Sequence, residues 1–252
     1  MRAGEVIWRA LRPLPRVAPY NKGKPSYTWE QRRDDYAAMS KTPLIITAEL
    51  TTPIIHAERD RTHLDGILSA AALTDHPVAG KYDDDTVVPL PLDLAWVSPH
   101  GLPLWACTPL MPAGGGMETR EYWHKRYPSH RAEFGDKLNA VTSAGRWKEY
   151  RVPVHAQSID RLHALAIGNA DEIERLLAGM THVGKKASMG YGRVARWSVT
   201  PGAHTLVDVL ALRPVPVAYY DDDASHGHLV RNRAWTPPYW YAPRWADCWM
   251  PA

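Results

Sequence analysis

The segment Pro43–Thr51 alternates apolar and more polar positions and is rich in β-branched side chains, a pattern typical of a β-strand. Side chains two residues apart share a face of an extended strand. One face is therefore predicted to be apolar, and it consists of Leu44, Ile46, Ala48 and Leu50. We expect this face to point into the core of the protein.

Two segments carry apolar residues at helical spacing. The first begins at Thr62–Asp65, which has the spacing of a capping box. Its apolar positions are Leu64, Ile67, Leu68, Ala71 and Ala72. Gly66 within it costs about 1 kcal/mol relative to Ala, so a close contact is expected there. The second helix begins at Asn169, a good N-cap, with Glu172 three residues later. Its apolar positions are Ile173, Leu176, Leu177 and Met180.

Four further runs are typical of strands. Thr86–Val97 and Leu102–Met111 flank a turn and predict a hairpin, and their prolines imply edges or bulges. Val152–Ile167 predicts the next strand and Arg193–Thr200 the last one. The resulting order is close to the βαββαβ arrangement of ferredoxin-like α+β domains. This arrangement hosts many functions, including RNA recognition on its open sheet face.

Three segments depart from this pattern. Residues 1–42 form a basic extension with nine Lys or Arg against four acids, and its prolines argue against one long helix. Residues 113–151, with eight Lys or Arg against five acids, are interpreted as an insertion. Residues 202–252 are rich in Pro, Trp and Tyr, and these aromatic rings could stack bases, pack on the domain or meet a neighbouring subunit. The prediction is one domain, residues 43–201, with an insertion and two extensions.

Composition sets the class of protein. The 252-residue chain has a formal net charge of +3, too small to indicate a nucleic-acid partner without a local concentration of charge. Its two cysteines, Cys107 and Cys248, form no CxxC pair, so we expect neither a zinc site nor another cofactor. A reduced cytoplasmic setting is the default. No window approaches the roughly 20 apolar residues of a membrane span, and the N-terminus lacks a signal-peptide run.

The strongest candidate for a binding site is the glycine loop, Gly184–Arg193, between the second helix and the last strand. Its candidate RNA-binding residues are Gly184, Lys185, Lys186, Ser188, Gly190, Tyr191, Gly192 and Arg193. Glycines allow tight turns and close approach, cations and a hydroxyl suit phosphate, and a tyrosine offers a face to a base. Arg196 adds charge nearby. An ordinary glycine turn is the alternative, whereas the order of residues excludes a P-loop.

The insertion supplies a second set of candidates. Its RNA-binding residues are predicted to be Arg120, Tyr122, Trp123, His124, Lys125 and Arg126. Cations track the backbone of a single strand while rings stack on bases, at roughly 1–3 kcal/mol per base. Tyr122, His124 and Lys125 could also cleave RNA by acid–base catalysis. We favour a basic segment that grips phosphates, and we assign no catalytic residue.

A metal site has little support. His226 and His228 follow three aspartates and could bind a metal, but a polar loop explains them as well. No HExxH pattern is present.

Three motifs resemble a known superfamily. Helix Asn169–Met180 with the following His182–Val194 resembles the C-terminal glycine-rich loop of the RAMP superfamily of CRISPR proteins. His63–Ala71 and Pro237–Trp240 are similar to two segments of one branch, the Cas-five-type (Csf-three) subunit of type IV CRISPR effectors. The resemblance spans about residues 43–241.

The resemblance implies a ferredoxin-like domain with an inserted thumb, which would be residues 113–151. It also implies a non-catalytic subunit that caps the 5′ handle of CRISPR RNA. Its partners would be the backbone and large subunits of the complex, and target DNA could lie within reach. Two alternatives remain: a metal-independent endoribonuclease that processes CRISPR RNA, and a protein-interaction module without RNA binding.

Overall fold

The computed structural model of the chain describes residues 29–55, 62–75, 86–126, 149–220 and 229–251. Within these ranges the protein is mixed α+β, as predicted. The helices are α1 (Trp29–Ala38), α2 (Leu64–Asp75), α3 (Ala170–Leu177) and α4 (Leu206–Leu210). The strands are β1 (Thr42–Leu50), β2 (Leu94–Val97), β3 (Pro103–Trp105), β4 (Met111–Pro112), β5 (Met117–Lys125), β6 (Tyr150–Ser158), β7 (Arg161–Gly168), β8 (Val194–Pro201), β9 (Val215–Pro216), β10 (Val230–Ala234) and β11 (Trp245–Trp249).

Several predicted segments lie outside the described residues. They are residues 1–28 of the basic extension, residues 127–148 of the insertion, and His226 and His228. Where the chain is described, no helix is long and apolar enough to cross a membrane. The same residues contain no group of three His, Cys, Asp or Glu side chains placed to hold a metal ion.

The main sheet has four strands in the order β4-β7-β1-β8, and every neighbouring pair is antiparallel. The alternation predicted for β1 is confirmed, because Leu44, Ile46 and Ala48 are buried on one face. Helices α2 and α3 pack against that face, and Leu68 and Ile173 join the same core. Asn169 caps α3 as predicted, with its side chain accepting a hydrogen bond from the Glu172 amide.

Two strand predictions need correction. The predicted hairpin exists as β2 and β3, but the strands are shorter than expected because the prolines interrupt the ladder. The single strand predicted for residues 152–167 is wrong. The chain turns at Ile159–Asp160, so that β6 pairs with β5 while β7 enters the main sheet. A run of alternating apolar and polar residues predicts a strand, but it does not indicate with which other strand each half of the run pairs.

The C-terminal segment packs on the domain. A three-stranded sheet, in the order β10-β11-β9, joins α4 and β3 around a second core. That core consists of Leu104, Leu210, Val215, Trp235 and Cys248. Trp235 is therefore a packing residue, whereas Trp240 is 67% exposed.

A buried polar network connects this segment to α2. The fully buried Arg213 guanidinium pairs with the equally buried Asp65 at 3.2 Å. The hydroxyl of Tyr239 donates to the same carboxylate at 2.7 Å. The His63 ring stacks on Tyr239 with centroids 4.4 Å apart. A Cβ atom at Gly66 would lie 3.3 Å from the Tyr239 ring, which is the close contact expected there. Two motifs whose contacting residues, Asp65 and Tyr239, are 174 positions apart in the chain thus form one contact.

Helix α1 gives the end of the basic extension a packing role. Buried Arg32 pairs with Asp75 of α2 at 3.0 Å, and the Tyr36 hydroxyl donates to Glu172 of α3 at 2.7 Å. Arg175 of α3 pairs with both carboxylates. The helix therefore links α2 to α3 on the outside of the helical layer.

Candidate nucleic-acid interface

The described part of the insertion is a two-stranded antiparallel ribbon, formed by β5 and β6. The two strands pair in continuous register from Met117↔Ser158 to Lys125↔Tyr150. The ribbon is a sheet of its own, separate from the main sheet. At its base, Gln157 exchanges backbone hydrogen bonds with Ile54, which ties the ribbon to the body of the protein.

The ribbon has two different faces, because successive side chains of a strand point to opposite sides. On the inner face, Val154 and Ala156 are buried against Ile55 and Tyr191. The outer face carries only exposed side chains at its centre, and they are Arg120, Tyr122, His124, Arg151, Pro153 and His155. The predicted RNA-binding residues of the insertion are therefore divided between two sides.

The backbone of the glycine loop explains its glycines. Gly184, Gly190 and Gly192 all have positive φ. A Cβ atom at Gly184 would lie 2.7 Å from the Ile55 carbonyl oxygen, and one at Gly192 would collide with the Val183 carbonyl. The amide of Gly192 donates to the Pro53 carbonyl at 2.8 Å. Two of the glycines are thus required to seat the loop on residues 53–55, which is the structural role that a glycine turn predicts.

The glycine loop and the ribbon lie side by side. The Lys186 ammonium sits 4.6 Å from the centroid of the Trp123 ring. The Tyr191 hydroxyl donates to the Glu121 carboxylate, and this hydrogen bond is the main reason why the pKa of Tyr191 is raised. The two predicted segments therefore form one continuous surface. We expected Trp123 and Tyr191 to stack on bases. In the structure Trp123 contacts Lys186, and Tyr191 contacts Glu121.

The cations of the glycine loop lie at the surface of the described structure. Lys185, Lys186 and Arg193 are exposed, and no carboxylate among the described residues pairs with them. Ser188 is exposed on a short 3-10 turn, Ala187–Met189. Lys186 itself has a φ of 64°, a left-handed conformation that costs a non-glycine residue about 1–3 kcal/mol. In this conformation the Lys186 side chain lies beside the ribbon.

Arg196 does not belong to this free set. Its guanidinium pairs with Glu49 of the neighbouring strand at 2.7 Å. The pairing arises because Arg196 and Glu49 lie opposite each other in the β1–β8 register. Sequence alone placed Arg196 near the loop cations, since a partner on another strand leaves no local signal.

On the outer face, two guanidinium groups approach one ring. The Cζ atom of Arg151 lies 3.9 Å from the centroid of Tyr122, and that of Arg120 lies 5.6 Å from it. The His124 ring is 6.4 Å from Tyr122. Arg151 was missed as a candidate because only the strand register brings it opposite His124.

The proposed cleavage set is not assembled on one face. Tyr122 and His124 share the outer face, whereas Lys125, one residue further along β5, points to the other side. Lys125 and Arg126 are exposed at the distal end of the strand.

These features define a mixed α+β protein with a glycine loop beside a basic two-sided ribbon. Residues 120–251 match the family model described as CRISPR type IV associated protein Csf3. The match covers more than half of the chain, so the protein belongs to the Csf3 family. It includes most of the ribbon, the whole glycine loop and the C-terminal sheet. A search of curated proteins gives no match to this chain.

Proposed function

We propose that this chain is a non-catalytic RNA-binding subunit of a type IV CRISPR ribonucleoprotein, which caps the 5′ handle of the CRISPR RNA. The observation that carries the proposal is the contact of Lys186 with Trp123, because it joins two basic, aromatic segments into one surface. A single strand is held by cations along its backbone and by rings under its bases. Lys185, Lys186 and Arg193, which pair with no carboxylate among the described residues, supply the first of these.

The strand order supports a ferredoxin-like domain as the scaffold. Helix α2 lies in the chain between β1 and β4, and α3 lies between β7 and β8. The order β4-β7-β1-β8 with antiparallel neighbours supports the βαββαβ pattern, to which the hairpin of β2 and β3 would be an addition between α2 and β4. The ribbon interrupts the chain between β4 and β7, where an inserted thumb would be placed.

Membership of the Csf3 family supports the partners in this proposal. They are CRISPR RNA and the backbone and large subunits of the type IV complex, with target DNA bound in the same assembly. A reduced cytoplasmic setting is consistent with Cys107 and Cys248, which are free and buried in different parts of the fold.

Replacement of Lys185 and Lys186 by Ala tests the proposal. Guide RNA of any sequence should bind more weakly. The slope of log affinity against log salt should become less steep by about 0.7 for each lost phosphate contact. Arg196→Ala is the matched control, because Glu49 already neutralises that cation. Removal of the 5′ handle from the guide should weaken binding to the unmodified protein. An unchanged salt slope in the double variant would exclude the glycine loop from the RNA site.

A further inference from the structure

In the part of the chain that the structure describes, the ring and guanidinium contacts on the outer face of the ribbon join ribbon residues to one another. The inner face contacts the glycine loop through Trp123, Glu121 and Val154. We infer that the outer face is a second nucleic-acid site, which binds an unpaired strand separately from the strand held at the glycine loop. The inference depends on the proposed function in one respect, which is that the first nucleic-acid strand is bound at the glycine loop.

Charge on the outer face favours a polyanion. No carboxylate among the described residues pairs with Arg120 or Arg151. The acidic residue on this face of β5, Glu118, lies at the base of the ribbon, where it accepts a hydrogen bond from Gln157 at 3.1 Å, and Glu149 directly precedes β6 at the other end. Arg120 and Arg151 both contact the ring of Tyr122, so two positive charges lie on this face. Guanidinium groups bind phosphate through two parallel hydrogen bonds, so each can hold a phosphate of a strand that crosses the ring.

The ring system selects an unpaired strand rather than a duplex. The Tyr122 side chain is 40% exposed, and the Arg151 guanidinium lies close enough to stack on it. Bases stack on tyrosine rings and on guanidinium planes only when their own faces are free. A base-paired helix presents its phosphates but keeps its base faces stacked on each other. Tyr122 therefore adds affinity only for a single strand.

The two sites lie on opposite sides of a sheet. Outer-face side chains point away from the glycine loop because their neighbours in sequence point towards it. The backbone of β5 and β6 separates a short nucleic-acid strand bound at Lys185 and Lys186 from Tyr122. Cations that bind phosphates and rings that stack on bases suit RNA and DNA alike, so the ligand class is single-stranded nucleic acid.

Binding stoichiometry tests the inference. The probe is a fluorescent pyrimidine oligoribonucleotide of about five nucleotides, near the lower limit of single-strand site sizes and too short to reach both faces. We expect two molecules bound per unmodified protein. We expect one for Arg120→Ala/Arg151→Ala and one for Lys185→Ala/Lys186→Ala. A deoxyribo-oligonucleotide of the same sequence should also occupy the outer site.

Matched variants separate the ring from the charge. Tyr122→Phe should keep the outer site and Tyr122→Ala should weaken it at least tenfold. Arg33→Ala/Lys41→Ala removes two cations outside the ribbon and should leave both sites intact. All of these positions are at least partly exposed, so thermal melting should stay unchanged.

The failures of the two proposals are distinguishable. A single molecule bound, and lost only in Lys185→Ala/Lys186→Ala, would overturn the second site and leave the proposed function standing. Two molecules bound to Arg120→Ala/Arg151→Ala would also overturn it. One molecule bound, and lost only in Arg120→Ala/Arg151→Ala, would support the outer face and contradict the role of the glycine loop. Absence of binding in the unmodified protein would overturn both.

Discussion

Asp65 shows how a residue with a correct local interpretation can have a different role in the fold. Its spacing from Thr62 predicted a capping box, but its carboxylate is fully buried and binds Arg213 and Tyr239. Truncation of one partner of a buried ion pair costs about 3–5 kcal/mol, because the other charge is left uncompensated. Nothing in the sequence near Asp65 could reveal Arg213, which follows it 148 residues later.

His63 adjoins this network and should make the stability of the fold depend on pH. Burial lowers the pKa of His63 to about 4, with the Arg213 charge acting in the same direction and Asp65 opposing it. The imidazole must stay neutral in the folded protein, whereas in the unfolded chain it takes up a proton below about pH 6.5. The contribution of the neutral His63 ring to the free energy of unfolding is therefore complete above about pH 6.5. It declines as the pH falls towards 4, by up to roughly 3 kcal/mol.

The measurement is urea unfolding between pH 7 and pH 4. His63→Phe keeps a ring against Tyr239 and should lose less stability over this range than the unmodified protein. His155→Phe, an exposed position on the ribbon, should retain the original pH profile. Identical profiles for the three proteins would show that His63 does not couple folding to protonation.

Candidate site residues were predictable only where the local sequence carries the signal. Lys185 and Lys186 stand out because glycines and cations occur together in one loop. Arg151 became a candidate only through its position opposite His124 in the ribbon. The contact of Trp123 with Lys186 joins residues that are 63 positions apart, and the sequence of neither segment indicates it.

At the level of elements, β1, α2 and α3 were predictable because each has a buried and an exposed side. Helix α1 was not, since its buried side consists of Trp29, Arg32 and Tyr36 rather than aliphatic residues. The broken strand at Ile159 was also missed. Helical periodicity and strand alternation indicate which residues are buried, but they do not indicate which element buries them.

The docking of α1 leads to a prediction about stability. Arg32→Ala removes a buried guanidinium that pairs with Asp75, and hydrogen bonds to charged groups contribute about 1.5–3 kcal/mol. We expect a loss of this size in the free energy of unfolding by urea. Arg33→Ala, on the exposed side of the same helix, should change stability by less than about 0.5 kcal/mol. Equal effects of the two substitutions would show that α1 does not hold α2 and α3 together.

For the whole molecule, we predict that the purified protein leaves precursor CRISPR RNA intact in the presence of a chelator. Acid–base cleavage needs an acid, a base and a cation around one phosphate. Here Lys125, the cation of the set named from the sequence, points to the face of β5 opposite Tyr122 and His124, whereas Arg120 and Arg151 contact the Tyr122 ring. The measurement is gel analysis of labelled precursor RNA after prolonged incubation. Cleavage that disappears in His124→Ala would contradict the prediction and favour a processing endoribonuclease.

The central position of β1 has a consequence for how the protein is made. Its partners in the sheet come late in the chain: Leu165, opposite Ile45 in β7, follows it by 120 residues. At roughly 5–20 residues per second, a ribosome needs about 6–24 s to synthesise that interval. Throughout it, neither edge of β1 has the strand with which it pairs in the folded protein, and its apolar face lacks the cover of α3. Chaperones that shield nascent chains should therefore engage this strand, long before the glycine loop has been synthesised.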